Sequence, residues 1–447
     1  MTDPNSSRAA VSHAAGLTPR KRLRRQIALA VVSTLVLLTA GTGAFALYVY
    51  QDLNNNIHRS PISMPSGKPE FGANQNTDET NILIMGLDSR VDQNGKPFPE
   101  EIYNAIHAGD QGDGGYNANV MMLIHIPAGG GRAQGISIPR DDYAELAGHP
   151  NGVKMSKIKE AYGLALDEKL RELVRGGMSR DEAYQEARTA GRQAQINTVS
   201  NFLGGVRIDH FVEITMAAFY QVAQAVAPIQ VCLNQATEDK YSGANFPAGM
   251  QEIDAQQAMS FVRQRRDTGK SGLELTDFDR TRRQQAFMVS LAYKLKQAGT
   301  FTNPATITSL VGTAKQYIAV DDGFEFLSFA QQASSLAGGN ITFTTLPITG
   351  YAKRDGKDVN LVDLDQIHAT VAQLLGTTPS GSATPETPAT GGAGAGTAET
   401  PKTPETPQAP ASEAPATPGA PSSEAPADNT YHDWKEPLQA GSIPCVN

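Results

Sequence analysis

Apolar residues along this chain fall into three kinds of pattern, and each predicts a different element. From Ile27 to Tyr50 they form a run with no charged residue, long enough at about 1.5 Å per residue to cross a hydrocarbon layer as one helix. Short apolar runs bounded by turn residues recur at Asn81–Met85 (ending at Gly86), Val120–Ile126, Gln134–Ile138, Val212–Ile214, Gln230–Leu233 and Ile341–Leu346, and these predict buried strands. Helical spacing governs Leu164–Leu203, split by Gly176-Gly177, and also Ala217–Val226, Arg280–Gln297 and Leu361–Leu375. Within the first of these, Ser179 and Glu182 fit a capping box, and Ala183, Ala187, Ala190 and Ala194 lead along one face toward Ile196 and Val199. It reads as a packing element. Strands and helices alternate, which predicts an α/β fold with a mixed central sheet flanked by helices.

Composition divides the chain. Residues 377–430 are a Thr/Pro/Ala/Glu/Ser tract almost without large apolar side chains, so they read as an extended, disordered stalk. The expected organisation is a basic cytoplasmic segment (1–26), a transmembrane helix (27–50), a linker (51–79), one globular domain (80–376), the stalk (377–430) and a C-terminal segment (431–447). Arg8, Arg20, Lys21, Arg22, Arg24 and Arg25 stand against Asp3 alone in the first 25 residues, leaving −13 of the total −8 on the remainder. Basic residues before the span put the N-terminus in the cytoplasm and the domain outside. Ala44-Phe45-Ala46 also resembles a signal-peptide cleavage site, but the apolar run exceeds the usual h-region of about 7–15 residues. An acidic external part carries no general nucleic-acid footprint. The two cysteines, Cys232 and Cys445, suit a disulfide in an oxidising compartment that would fold the C-terminal segment back onto the domain, or one buried and one exposed free thiol.

Candidate chemistry concentrates between Phe261 and Phe287, where Arg263, Arg265, Arg266, Arg280, Arg282 and Arg283 crowd together. Asp254 with Gln257 fits a capping box, so Arg263 and Arg265 fall where a helix ends and leave it on an extended segment, pointing the same way around Gln264. Asp277 or Asp279 starts the next helix as N-cap, and Arg280, Gln284, Phe287 and Leu291 share one face of it, with Arg282 on the other. Arg280 there needs a partner: Asp277, or an anion with several oxygens, which a guanidinium fork suits. The predicted strands deliver Asp88 and Arg90, Asn119, and Arg140 around one sheet. No Gly-x-Ser-x-Gly elbow, HExxH, Walker A or dinucleotide fingerprint occurs. His125, His210 and His368 are isolated and read as structural. Arginines and a few aspartates remain, which suits a phosphate-rich ligand with a divalent ion.

The order GLDSR, MMLIHI, SIPRD, Lys157-Ile158, IDHFVEI, FPAG, FVRQR and DFDRTRRQQAF, over about residues 80–300, resembles the LytR-CpsA-Psr family of cell-envelope enzymes. That resemblance implies a Mg²⁺-dependent (or other divalent-ion-dependent) phosphotransferase, acting beside the membrane lipid. It would move a glycopolymer from a polyprenyl-pyrophosphate carrier to peptidoglycan through a phosphodiester link, using an apolar tunnel for the polyprenyl chain. Asp88 matches a magnesium ligand, Arg140 an arginine near the pyrophosphate, and Arg263 and Arg265 an Arg-x-Arg clamp. Asp277, Arg280 and Gln284 match an Asp-x-x-Arg-x-x-x-Gln set, with Arg90 and Lys157 as further substrate contacts. Asn117-Ala118-Asn119 departs from the family's Arg-Ser-Asp, so Asn119 replaces a magnesium-binding carboxylate with an amide. Metal binding before substrate arrives should be weaker, unless Asp110 or Asp113 substitutes. Plain pyrophosphate hydrolysis and a non-enzymatic envelope sensor are the competing readings.

Overall fold

The computed structural model describes residues 57–67, 79–107, 115–297, 316–325, 339–377 and 429–447, with a few single positions between them. The expected transmembrane helix and most of the expected stalk lie outside these residues.

Eight strands form one mixed sheet in the spatial order His58–Ser60, Ile318–Asp321, His210–Thr215, Thr80–Leu87, Ala118–Ile126, Ala133–Ser137, Ile341–Thr345 and Leu438–Gln439. Thr80–Leu87 sits near the middle, parallel to His210–Thr215 and antiparallel to Ala118–Ile126. Its side chains alternate as the pleat requires. Leu83, Met85 and Leu87 pack with Met121 and Leu123 in one core, while Ile82 joins Met122 and Ile124 in another. The first core lies under the helices Ala161–Arg175, Arg180–Phe202 and Leu364–Leu374; the second lies under Ala255–Arg263 and Asp277–Gln297. Helices therefore cover both faces, and buried strands on both sides explain the near-continuous apolar runs.

The sheet also recruits residues from outside 80–376. His58–Ser60 pairs with Ala319–Asp321 at one edge, and Leu438–Gln439 pairs with Thr342–Phe343 at the other. In a second, three-stranded sheet Cys445–Val446 lies parallel to Ile229–Leu233, with Cys445 directly opposite Cys232, and the two form a disulfide. Leu438 and Val446 are fully buried, so the C-terminal segment is part of the core.

One local expectation needs correction. The second site helix is not capped by Asp277 or Asp279. Thr276 precedes its first turn, its hydroxyl accepts from Phe278 N (3.2 Å), and Asp279 reaches back to accept from Thr276 N (2.7 Å). Asp277 is thereby released to face Arg140. After Asp92, Glu100–Ala105 forms a short helix whose Ile102 and Tyr103 are buried.

Candidate active site

The site grows where one core face opens. Ile84 and Gly86 share one side of their strand, Asp88 follows its end after a register shift at Gly86/Leu87, and across the ladder Met122 stands opposite Ile84 and Val120 opposite Gly86, with Asn119 just beyond. A cavity of about 310 Å³ follows this line, roofed by Met216 and Phe219, by Met259 and Val262, and by Arg280, Gln284, Phe287 and Met288 of the Asp277–Gln297 helix. From Asp88 to Ile84 is four residues, roughly 13 Å along a strand. Every element runs from polar to apolar in the same direction: Asp88 to Ile84, Asn119 to Met122, Arg280 to Met288. The result is a charged mouth leading into a hydrocarbon-lined interior.

Helix geometry supplies the mouth. Ala255–Arg263 starts at an Asp254–Gln257 capping box and ends at Arg263, after which Gln264 is extended (φ −62°, ψ 129°). Gln264 turns inward and is fully buried against Thr237. Arg263 and Arg265, on either side of it, both reach the cavity. Arg263 donates to the carbonyls of Ile106 and of His107 (3.2 Å), at the end of the short Glu100–Ala105 helix. Arg265 has no hydrogen-bond or ion-pair partner among the described residues. Arg140, only 8% exposed, donates to Asp277 Oδ2 (3.2 Å) and forms an ion pair with its Oδ1 (2.9 Å), and Arg280 donates to the same Oδ2 (3.0 Å) and to the Asn119 carbonyl (3.3 Å). Gln284 donates to the Val262 carbonyl (3.2 Å), tying the two site helices together.

Of the expected site residues, Asp88, Arg90, Asn119, Arg140, Arg263, Arg265, Arg280 and Gln284 all line this one cavity. Asp277 stands behind Arg140 and Arg280. Lys157 is one step further back, ion-paired with Asp141 (3.1 Å), which also receives Lys159 (2.8 Å). Burial would raise Asp141, but Lys159, Arg140 and Lys157 outweigh it and hold the carboxyl at about 2. Asp277 does partner Arg280, yet one carboxylate shared by two arginines leaves the mouth strongly positive. Five arginines line it against the single carboxylate of Asp88, itself paired with Arg90 (2.6 Å). Burial, opposed by Asp277, lowers the Arg280 guanidinium to about 10, so it stays charged at neutral pH. A cluster that keeps this charge beside open space is built to receive an anion.

Residues 45–375 match the LytR_cpsA_psr family. The chain belongs to it. Among its relatives, the cell wall biosynthesis protein LcpA of Corynebacterium glutamicum is 36% identical over 350 residues, 78% of this chain and 64% of that one. The polyisoprenyl-teichoic acid–peptidoglycan teichoic acid transferase TagU of Bacillus subtilis is 24% identical over 278 residues, 62% of this chain and 72% of that one. A solved LytR-Csp2A-Psr enzyme from Actinomyces oris superimposes with a TM-score of 0.46 at 20% identity, covering 72% of this chain and 97% of that one. The chain thus spans about 64% of the LcpA relative's length.

As a LytR-CpsA-Psr protein it departs from expectation in one respect that the structure develops. Asn119 Oδ1 is buried and has no hydrogen-bond partner among the described residues. An orphaned carbonyl oxygen near Asp88 in the arginine-lined mouth fits a hard cation, which takes few protein oxygens and completes its shell from ligand oxygens and water. Asp110 and Asp113 lie outside the described residues. Among those described, no cluster of three acidic, His or Cys side chains forms a site on its own.

Sequence reading missed one buried network. Arg188 and Arg192, on the helix read as mere packing, both donate to Glu213, and Arg188 also reaches the hydroxyls of Tyr162 and Tyr184 (2.8 Å each). All three charged side chains are essentially inaccessible. Charged residues at positions 188 and 192, spaced i to i+4 on a helix whose alanines run along one face, were the available signal.

Proposed function

We propose that this protein transfers a glycopolymer from a polyprenyl-pyrophosphate carrier to peptidoglycan, forming a phosphodiester link. The observation that carries the reading is the single cavity with an arginine mouth and an apolar interior, which suits a diphosphate joined to a long hydrocarbon and suits few other ligands. Family membership and the names of its relatives support the same reading.

In this mechanism the isoprenoid lies along Ile84, Met122, Phe219 and Phe287 with the pyrophosphate at the mouth. Arg140, Arg263, Arg265 and Arg280 neutralise the charge on its oxygens, which grows as the reaction proceeds. A sugar hydroxyl of peptidoglycan attacks the phosphorus bearing the glycan, and that phosphorus loses its bond to polyprenyl phosphate, which departs with the electron pair. Asp88 is the one carboxylate lining the cavity and takes the hydroxyl's proton. Asp88 and Asn119 would hold Mg²⁺, which when bound screens the phosphates and acidifies the hydroxyl. A membrane anchor at residues 27–50, with the domain on the outer face, would keep the site near its lipid carrier and raise encounter with it.

The test is incubation of the full chain with a lipid-pyrophosphate glycan, Mg²⁺ and peptidoglycan oligomers. Polymer-linked oligomer is the expected product. Free phosphorylated glycan without linked oligomer would replace transfer by hydrolysis, and tight binding without turnover would make the protein a receptor.

A further inference from the structure

A second cavity, of about 480 Å³, opens on the side of the sheet covered by the Ala161–Arg175 helix. Its walls are Tyr116 and Asn117, the Ala161–Arg175 helix at Gly163 and Asp167, Arg180 at the start of the next helix, Tyr184, and Lys357. The mechanism above gives it no role. We propose that it is the acceptor groove, binding the amino-sugar chain of peptidoglycan with its stem peptide; this rests on the transferase reading.

Position is the first argument. Asn117 lines the groove and Asn119 lines the mouth, two residues apart and so at most about 7 Å. The Asn117 carbonyl accepts from Asp88 N (3.1 Å) and Asn119 N (3.0 Å), so one short segment is wall to both cavities. A sugar held in the groove presents its hydroxyl to the phosphorus from the side opposite the hydrocarbon channel, where an attacking group must come from if the leaving lipid lies within it.

Chemistry is the second. Tyr116 and Tyr184 form a rigid aromatic wall: their hydroxyls are hydrogen-bonded (2.9 Å), the rings stand edge to face at 6.2 Å, and the buried Arg188 guanidinium lies against both rings. Rings with a polar tip and an apolar face suit a ligand with C–H and O–H faces. Arg180 is exposed and has no ion-pair partner among the described residues, a cation free for a stem-peptide carboxylate. The buried Arg188–Glu213 network that looked purely structural thus braces the groove wall.

Gly163 provides the test. A Cβ there would meet the Tyr116 carbonyl at 3.5 Å and Asn117 Oδ1 at 3.9 Å, ordinary contact, so Gly163→Ala should be accommodated while Gly163→Leu fills the groove. With the full chain, saturating lipid donor and varied soluble peptidoglycan oligosaccharide, Gly163→Leu should raise the half-saturating acceptor concentration on the order of tenfold. Its donor half-saturation should stay at the parent value, and Gly163→Ala, which adds one carbon, should raise the acceptor value far less than Gly163→Leu. Arg180→Ala should weaken an acceptor carrying stem peptide and leave a peptide-free glycan unaffected. An unchanged acceptor curve in a folded Gly163→Leu protein would overturn the groove while transfer by the parent upholds the reaction. If Gly163→Leu does not fold, hydrogen exchange on the parent decides: the oligosaccharide without donor should protect residues 161–167, and protection elsewhere alone refutes the site. Protection there with no transfer by the parent would keep the groove and sink the transferase.

Discussion

On the Asp277–Gln297 helix, Arg280 looks into the cavity while Arg282 and Arg283 look away from it, and the company they keep differs in kind. Arg282 donates to the carbonyls of Asp433 (3.1 Å), Trp434 (2.8 Å) and Glu436, and lies over the Tyr431 ring. Arg283 donates to Asn447 O (2.7 Å) and Gln264 Oε1 (2.6 Å) and lies over Phe261. Both hold the C-terminal segment, reinforced by Trp434 stacked on Phe278 at 4.1 Å and by the disulfide. On the back of the helix the chain supplies its own ligand. On the open side, Arg265 has none among the described residues and Arg140 and Arg280 share the Asp277 carboxylate, which leaves positive charge facing the cavity. Arginine count in a motif does not reveal function; whether the space beside each guanidinium is filled does.

The largest test of that contrast is on the filled side. Glu213→Ala should leave Arg188 and Arg192 buried without their carboxylate, costing about 3–5 kcal/mol, read as a lowered urea midpoint. An unchanged midpoint would mean the pair is not closed off as described. On the open side, Arg265→Ala should reduce transfer by about a hundred- to a thousand-fold and move the unfolding midpoint within about 0.5 kcal/mol. Arg283→Ala should do the reverse, removing about 1–3 kcal/mol of stability while the folded fraction still turns over. Trp434, the chain's single tryptophan, reports the event, since its emission should shift to the red as the segment lifts from Phe278. Equal losses of activity in the two arginine variants would erase the distinction.

The alternation of Arg263 and Arg265 around an inward Gln264, and the face carrying Arg280 and Gln284, were legible because helix and strand periods fix direction locally. The sheet was legible in its central strands, whose apolar runs announce burial on both faces. Its edges were not: His58–Ser60 is short and polar, Leu438–Gln439 is only two residues long, and only long-range pairing makes them strands. The helix period put Arg282 on the face away from Arg280, but what it and Arg283 hold could not be read, because the C-terminal carbonyls they bind lie 151 to 164 residues away. The Thr276 cap was hidden by two aspartates that looked better suited to it. The second cavity was invisible for the same reason as the back-face contacts, since Tyr116, Gly163 and Lys357 meet only in the fold.

The same rule, that neighbours rather than residue type set behaviour, extends to two histidines and gives the smallest effect. His210 Nδ1 lies 3.0 Å from Asp321, and that hydrogen bond raises its pKa above the ordinary 6.5. His125 Nδ1 lies 2.9 Å from Asn81 Oδ1, and burial, with Arg207 nearby, lowers it to about 4. The signs are therefore opposite. His210 stabilises the fold fully below pH 6.5 and loses that contribution as pH rises through its own higher value, whereas His125 withdraws stability as pH falls from 6.5 toward 4, where the unfolded chain binds the proton first. Proton NMR titration of the imidazoles should give one midpoint above 6.5 and one near 4. His210→Asn should remove the alkaline loss of stability and keep the acid one. Two midpoints at the ordinary value would mean that these rings, like an arginine in open solvent, are not governed by what the fold puts beside them.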